Sequence, residues 1–244
     1  METKEPAAPK GAPKDLLVIV PSRGRPRSVW GMVGAWIDTG AKADFIFCVD
    51  KDDIQRSWYE AAVESIPSFF CRSFSIDVGP RLRLCGSLNK AALANVDNYK
   101  VLAFMGDDHR PRSAGWDRRF VECLSAGPGI VYGNDLLQGE RLPTAVAMTS
   151  DIVKTLGYFA PPSLTHLNLD VVWKEWGRGM RRITYLHDVI IEHMHPSVGK
   201  AAGDALYDEC NSAEQNRADN EAYAKYKAAG HMEHDISKLI RLRG

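Results

Sequence analysis

The sequence predicts an α/β fold with a mainly parallel central sheet flanked by helices, and three features carry that prediction. Short apolar runs alternate with helix-period segments from residue 16 onward. The runs "LLVIV", "DFIFCV" and "KVLAFM" have the length and all-round apolarity of strands buried on both faces. Each ends in a polar turn carrying Asp, Gly or Pro, which stops the strand at a defined place.

Leu16 to Val20 form the first predicted strand, and "PSRGRP" is the turn after it. From Arg27 to Thr39 the residues Val29, Met32, Val33, Trp36 and Ile37 recur at helical spacing, and Gly40 closes the pattern. "DFIFCVD" is the second strand, and "DDIQRSWYEAAVESI" a helix with an acid placed to cap its start. A weaker strand around Phe74 and Ile76 leads through Gly79-Pro80 into the helix "LCGSLNKAALANV". "KVLAFM" follows, and "GDDHRPR" leaves its end.

In the second half "GIVYGND" and "TAVAMTS" read as strands, "DIVKTLG" as a short helix closed by Gly157, and "YFAPPSLTHLN" as a loop. "LDVVWKEWGRGM" returns to helix, and "RITYLHDVIIEHMHP" holds one or two strands. Asn211 to Arg243 is polar and helix-favouring, with a break at Gly230. Residues 1–14 read as a flexible tail rich in Pro, Ala and Lys, 15–200 as one domain, and 201–244 as a helical segment packed on it or extending it.

Composition narrows the classes. The 244 residues are 45% hydrophobic and 25% charged, enough for a sizeable core without disulfides. Lys+Arg and Asp+Glu balance at 31 each, which argues against a protein that coats nucleic acid but permits a local basic surface. The five cysteines (Cys48, Cys71, Cys85, Cys123, Cys210) show no metal-ligand spacing, so reduced thiols in a reducing compartment are expected. No apolar run approaches the roughly 20 residues of a membrane span, and no signal-peptide core begins the chain. A soluble cytoplasmic protein is the expectation.

In parallel α/β sheets ligands bind outside the carboxyl ends of the strands. "PSRGRP", "VDKDD" and "GDDHR" all stand at such ends and should converge on one crevice. Asp107 and Asp108 have two readings: a turn cap with one carboxylate in water, or a site for Mg²⁺ or Mn²⁺ completed by substrate phosphate. Arg23, Arg25, Arg27, Arg81 and Arg83 supply cations for a phosphorylated ligand, or are solvated surface charges. No dinucleotide fingerprint and no P-loop is present. If Val189 to His195 is a strand, His193 and His195 share a face and can ligate a metal or touch phosphate.

The order of these pieces resembles the GT-A fold (Rossmann-like) glycosyltransferases, above all the family 2-like group. "LLVIVPSRGRP", "FIFCVDKDD", "LCGSLNKAAL", "VLAFMGDDHRP" and "HLNLDVVWKEWGRG" stand in the places of that family's successive motifs, from Leu16 to Pro196. The resemblance implies that a sugar moves from a nucleoside-diphosphate sugar, a UDP-sugar favoured, to an acceptor hydroxyl. It implies nucleotide-sugar contacts from Pro21, Ser22, Arg23, Arg25, Asp50, Arg81 and Asn89. Asp108 would bind Mn²⁺ or Mg²⁺ with His193 or His195, and Asp170 would be the catalytic base of an inverting enzyme. Gly106 stands at the first position of the family's DxD motif, so Asp107 would take over that contact; Leu169 replaces the Glu of the usual Glu-Asp pair.

The ending "IIEHMHPSVGKAAGDALYDE" looks like that of small bacteriophage-encoded glycosyltransferases, some of which modify hydroxymethylated bases in phage DNA. That resemblance implies a DNA acceptor and a place in the host cytoplasm. Arg110, Arg112, Arg118 and Arg119 would then track the backbone, and Trp116 would stack on a sugar or base or else serve the core. A nucleotidyltransferase of related fold and a non-catalytic DNA-binding protein remain as alternatives.

Overall fold

The computed structural model describes residues 12–66 and 74–244; the tail over residues 1–11 and Cys71 lie outside them. β1 (Lys14–Ser22), β2 (Asp44–Asp50), β3 (Phe74–Gly79) and β4 (Tyr99–Phe104) form a parallel half-sheet in the order β3-β2-β1-β4. β5 (His109–Pro111), β6 (Ile130–Asn134), β7 (Val146–Thr149) and β8 (Ile183–His193) continue it as β7-β6-β8-β5. β7 runs antiparallel to β4 and β6, β8 is parallel to β6, and β5 is antiparallel to β8. The sheet is therefore mixed, with its parallel half where the sequence places the strong strands.

The all-apolar strands have a direct cause. Along β1, Leu16, Val18 and Val20 point to one core, with Val29, Met32 and Trp36 of α1 (Pro26–Thr39) and Phe120 of α4 (Trp116–Leu124). Leu17 and Ile19 point to the other, with Leu88 of α3 (Arg83–Asn95), Ile152 of α5 (Ser150–Leu156) and Trp173 of α6 (Leu169–Gly179). Alternate side chains thus feed opposite cores, so every position from Leu16 to Val20 is apolar. Each fully buried Leu, Ile or Val contributes about 1.5–3 kcal/mol relative to exposure.

Local signals set the helix ends. Pro26 opens α1, and Gly40 closes it at φ 64°, with its N–H on the Ile37 carbonyl and the Ala41 N–H on that of Trp36. α2 (Arg56–Glu64) starts later than the sequence predicts, because the Asp53 carboxylate is taken by the N–H groups of Gln55 (2.8 Å) and Gly24 (2.7 Å). That contact ties the start of α2 to the turn after β1.

The C-terminal segment packs on the domain. α7 (Ala205–Cys210), α8 (Ala213–Ala228) and α9 (His231–Arg243) follow β8, with the α8–α9 break at Gly230, φ 73°. α9 lies against α5 and α6 and buries Met232 and Leu239. The buried Asp235 carboxylate accepts hydroxyls from Tyr158 and Tyr226, each at 2.5 Å.

Two readings change. β8 is one strand and ends at His193, so His195 is not on its face; it begins the short 3-10 helix Pro196–Val198 instead. "HRP" is not loop: it pairs with the end of β8 and sets His109 directly opposite His193. Register along β8 shifts where it passes Gly133 and Asn134 of β6. A Cβ on Gly133 would meet the Val189 carbonyl oxygen at 2.5 Å. Gly133→Ala is therefore expected to cost about 1–3 kcal/mol by overpacking, read as a lower midpoint in urea; an unchanged midpoint would show that the β6–β8 seam yields freely.

Candidate active site

Because β1, β2 and β4 are parallel, their carboxyl ends open on one side, into a cavity of about 430 Å³. Pro21, Ser22, Arg23, Arg25, Asp50, Arg81, Asp107, Asp108, Asp170, His193 and His195 all line it. Asn89 does not. Its Oδ1 accepts the N–H groups of Phe159 (2.8 Å) and Ala160 (2.9 Å), and its Nδ2 donates to the Ala160 carbonyl (2.8 Å). The amide is committed to holding the backbone at Phe159 and Ala160, which corrects the expectation of a donor contact.

The turn after β4 sends two adjacent carboxylates in opposite directions. Asp107 accepts the Ser22 hydroxyl at 2.5 Å and lies 3.5 Å from the Arg25 guanidinium. Burial first, and the neighbouring Asp108 charge second, push its carboxyl up to about 7. Asp108 turns to two imidazoles, His109 Nδ1 at 3.3 Å and His193 Nε2 at 3.4 Å. Burial opposes its ionisation, but the imidazoles outweigh that and hold it well below the ordinary carboxylate range. Burial would lower His193, yet Asp108 and Asp135 raise it to about 9.

Asp108, His109 and His193 each bring a ligand atom within 4.8 Å of the others. One carboxylate oxygen and two imidazole nitrogens form a donor set suited to Mn²⁺ or another borderline divalent ion; Mg²⁺ prefers oxygen throughout. The residues fit the group that the resemblance implies, with one correction. Of the two expected histidines His193 joins the group, His195 stays outside it, and His109, to which the sequence reading gave no role, supplies the second imidazole. The His195 Nδ1 is engaged by Ser197, whose N–H donates at 3.2 Å and whose hydroxyl lies at 2.7 Å. His195 instead packs edge-on between His193 and Tyr207. Gly106 is explained here too: a Cβ on it would lie 2.6 Å from Asp108 Oδ1 and 3.1 Å from His109 Nδ1.

The cavity arginines are held by carboxylates. Arg23 bridges Asp50 (2.9 Å) and Asp52 (2.7 Å). Arg25 makes a forked pair with Asp204 at 2.6 and 2.7 Å, and Arg81 (2.6 Å) and Arg83 both reach Glu209. Asp204 and Glu209 come from the start and body of α7, which the sequence did not connect to the crevice. The arginines around the acidic turn are also committed. Arg110 is partly buried and donates to the Asp107 and His109 carbonyls, while Arg112, Arg118 and Arg119 pair with Glu192, Glu122 and Asp188. Trp116 is fully buried against Phe120 and belongs to the core.

Asp170, in the first turn of α6, faces the cavity beside Leu169, Trp173 and His166. Its Oδ1 accepts the Val171 N–H at 2.9 Å, which leaves Oδ2 for a proton. Burial raises its carboxyl above the ordinary value. Asn168, at φ 68°, turns the chain into this helix.

This arrangement of sheet and crevice is the GT-A glycosyltransferase fold. In the search of solved structures, the mannosyltransferase PcManGT from Pyrobaculum calidifontis in complex with GDP-Man and Mn²⁺ is similar over 91% of this chain and 79% of that one, at 13% identity and TM-score 0.57. S. aureus TarS 1–349 in complex with UDP is similar over 72% of this chain at 12% identity and TM-score 0.55. The chain spans 59% of that TarS chain. TarS 1–349 in complex with UDP-GlcNAc gives TM-score 0.53 at 10% identity over 84% and 69% of the two chains. At such identities the likeness is one of fold. No family model and no curated protein matches the sequence. No helix among the described residues is long and apolar enough to cross a membrane.

The donor set yields a direct test. Asp108→Ala is expected to abolish Mn²⁺ uptake measured by titration calorimetry, and His195→Ala to leave it within about threefold, since His195 contributes no atom to that donor group. Loss of uptake in His195→Ala would restore that residue to the ligand set.

Proposed function

We propose that the chain is a cation-dependent glycosyltransferase that moves a sugar from a nucleoside-diphosphate sugar, a UDP-sugar favoured, to an acceptor hydroxyl. The observation that carries this reading is one cavity holding a carboxylate–imidazole donor set, four arginines and a separate buried carboxylate, within a GT-A fold. Asp108, His109 and His193 would hold Mn²⁺, which when bound neutralises charge on the diphosphate. Arg25 and Arg81 would take its remaining charge. Pro21 to Arg23 and Asp50 line the nucleoside end. Asp107, linked to Ser22 and Arg25, orders the turn that they share.

Asp170 is the base of this reading. Its free oxygen takes the proton of the acceptor hydroxyl as the acceptor's oxygen attacks the anomeric carbon from the face opposite the diphosphate. The anomeric C–O bond breaks, and the nucleoside diphosphate leaves with the electron pair, inverting the centre. A hydroxymethylated base in DNA remains the acceptor to test first, on the resemblance to phage enzymes. Because Arg110, Arg112, Arg118 and Arg119 are all engaged within the chain, such DNA would have to be held by other groups. Buried Cys48 and Cys85, whose thiols burial pushes up, suit the reducing cytoplasm.

Three outcomes follow. At 100 times its dissociation constant a nucleoside diphosphate should stabilise the protein by about 2.7 kcal/mol in the presence of Mn²⁺; a melting panel over the nucleotides names the base, and no shift with any of them overturns the proposal. Asp170→Asn should cut kcat by about 10²–10⁴-fold while leaving that Mn²⁺-dependent shift in place. Glu209→Gln frees Arg81 and Arg83 and should tighten nucleoside-diphosphate binding by up to about fivefold, the worth of an exposed ion pair; weaker binding would mean that Glu209 presents the arginines instead.

A further inference from the structure

We infer that Asp135 and Thr144 form one positioning pair that fixes the tautomers of both imidazoles of the cation site, an inference that rests on the glycosyltransferase reading above. Asp135 directly follows β6 and is 2% exposed. Its Oδ1 accepts three backbone N–H groups, from Leu137 (2.9 Å), Gln138 (2.7 Å) and Gly139 (2.8 Å). Those bonds orient the carboxylate so that Oδ2 faces the site. There it accepts the Thr144 hydroxyl at 2.7 Å and stands 3.9 Å from His193 Nδ1.

Both imidazoles meet this pair with the nitrogen that points away from Asp108. His193 turns Nε2 to Asp108 and Nδ1 to Asp135; its Nδ1 is buried with no hydrogen-bond partner among the described residues. His109 turns Nδ1 to Asp108 and Nε2 to the Thr144 oxygen at 3.5 Å. The β5–β8 pairing sets the rings face to face, centroids 4.4 Å apart, so one carboxylate serves two rings. The backbone adds a further tie, since the His193 N–H donates to the Asp135 carbonyl at 3.0 Å.

With a cation beside Asp108 displacing the His193 Nε2 proton, only one donor pattern satisfies the chain of contacts. Asp135 is an acceptor at both oxygens, so Thr144 must direct its hydrogen to Oδ2 and present its lone pairs to His109. His109 Nε2 then carries a hydrogen, and His193 Nδ1 carries one toward Asp135. The lone pairs of His109 Nδ1 and His193 Nε2 are left on the Asp108 side, where a cation needs them. The Gly106 N–H donates to that same His109 lone pair at 3.0 Å, so a cation bound there would displace this hydrogen bond. A carboxamide in place of the Asp135 carboxylate would reverse the pattern, offering N–H to His193 and Thr144 and turning both imidazole hydrogens toward Asp108.

The test is Mn²⁺ uptake, read by the loss of the free-ion paramagnetic resonance signal, in wild-type protein, Asp135→Asn and Thr144→Val. Thr144→Val keeps the three N–H bonds of Asp135 intact, so it separates orientation of the imidazoles from folding of the loop. Each variant is expected to bind Mn²⁺ about 10–100-fold more weakly, with Thr144→Val retaining the wild-type melting midpoint. A purely structural role predicts a lower midpoint with unchanged uptake by the folded fraction. Wild-type uptake of Mn²⁺ with equal affinity in both variants overturns the positioning pair alone. A wild-type protein that takes up no Mn²⁺ overturns the proposed cation-dependent function and the pair with it.

Discussion

The structure turns on two carboxylates placed side by side at the buried end of β4. Asp107 is 4% exposed, and Asp108 lies beside it; two like charges in contact away from water cannot both persist without compensation. The fold answers by separating them. One is given to Ser22 and Arg25 on the first turn, the other to His109 and His193 at the β5–β8 seam. Each direction recruits its own part of the molecule: the nucleoside-side turn on one hand, and the imidazole pair with its Asp135 support on the other. The sheet topology makes this possible because β1 and β8 end on opposite sides of β4's turn while belonging to the same curled sheet.

Charge compensation also explains the C-terminal segment. Four cavity arginines around a crevice would repel one another as strongly as the acids do, and α7 brings Asp204 and Glu209 to three of them. The remaining helices give α7 its support, through α8 and α9 packed on α5 and α6. A diphosphate entering this crevice offers the same kind of acceptor oxygens as those carboxylates. Binding there exchanges one set of charge-assisted bonds for another, which costs far less than taking unpaired guanidinium groups out of water.

How much of this could be read from the chain depends on which interactions are local. The strands Leu16 to Val20 and Asp44 to Asp50 were legible because burial on both faces makes them uniformly apolar, and their turns follow directly. Convergence of Arg25, Asp50 and Asp108 on one crevice follows from parallel strand ends alone. His109 was missed because β5 has three residues, too few for any periodicity, and its role exists only once β8 pairs with it in one register. His195 was misplaced for the complementary reason: extending the alternation of β8 by two residues ignored Pro196, which ends the strand and starts a different turn. Asn89 shows a third limit, since a polar residue on a helix reads the same whether it meets a ligand or a neighbouring backbone.

Gly106 shows why the acidic motif departs from the usual DxD spacing in the way it does. In the DxD pattern a first Asp shares the work of the metal-proximal one. Here the space that its Cβ would need is already filled by the Asp108 carboxylate and the His109 ring. Once a histidine follows the second Asp and folds back to within 3.0 Å of the Gly106 N–H, only glycine fits before it. The displaced acid reappears at Asp107, where the turn can point it only at Ser22 and Arg25. The two features are therefore linked: the imidazole at 109 leaves no room for a side chain at 106, and the second carboxylate stands at Asp107 beside Ser22 and Arg25. A site with one carboxylate and two imidazoles has less negative charge than a two-carboxylate site, so it would hold a divalent ion less by charge and more by nitrogen donation. Under the proposed function that ligand type would favour Mn²⁺ over Mg²⁺, because imidazole gains most with the later, softer ion.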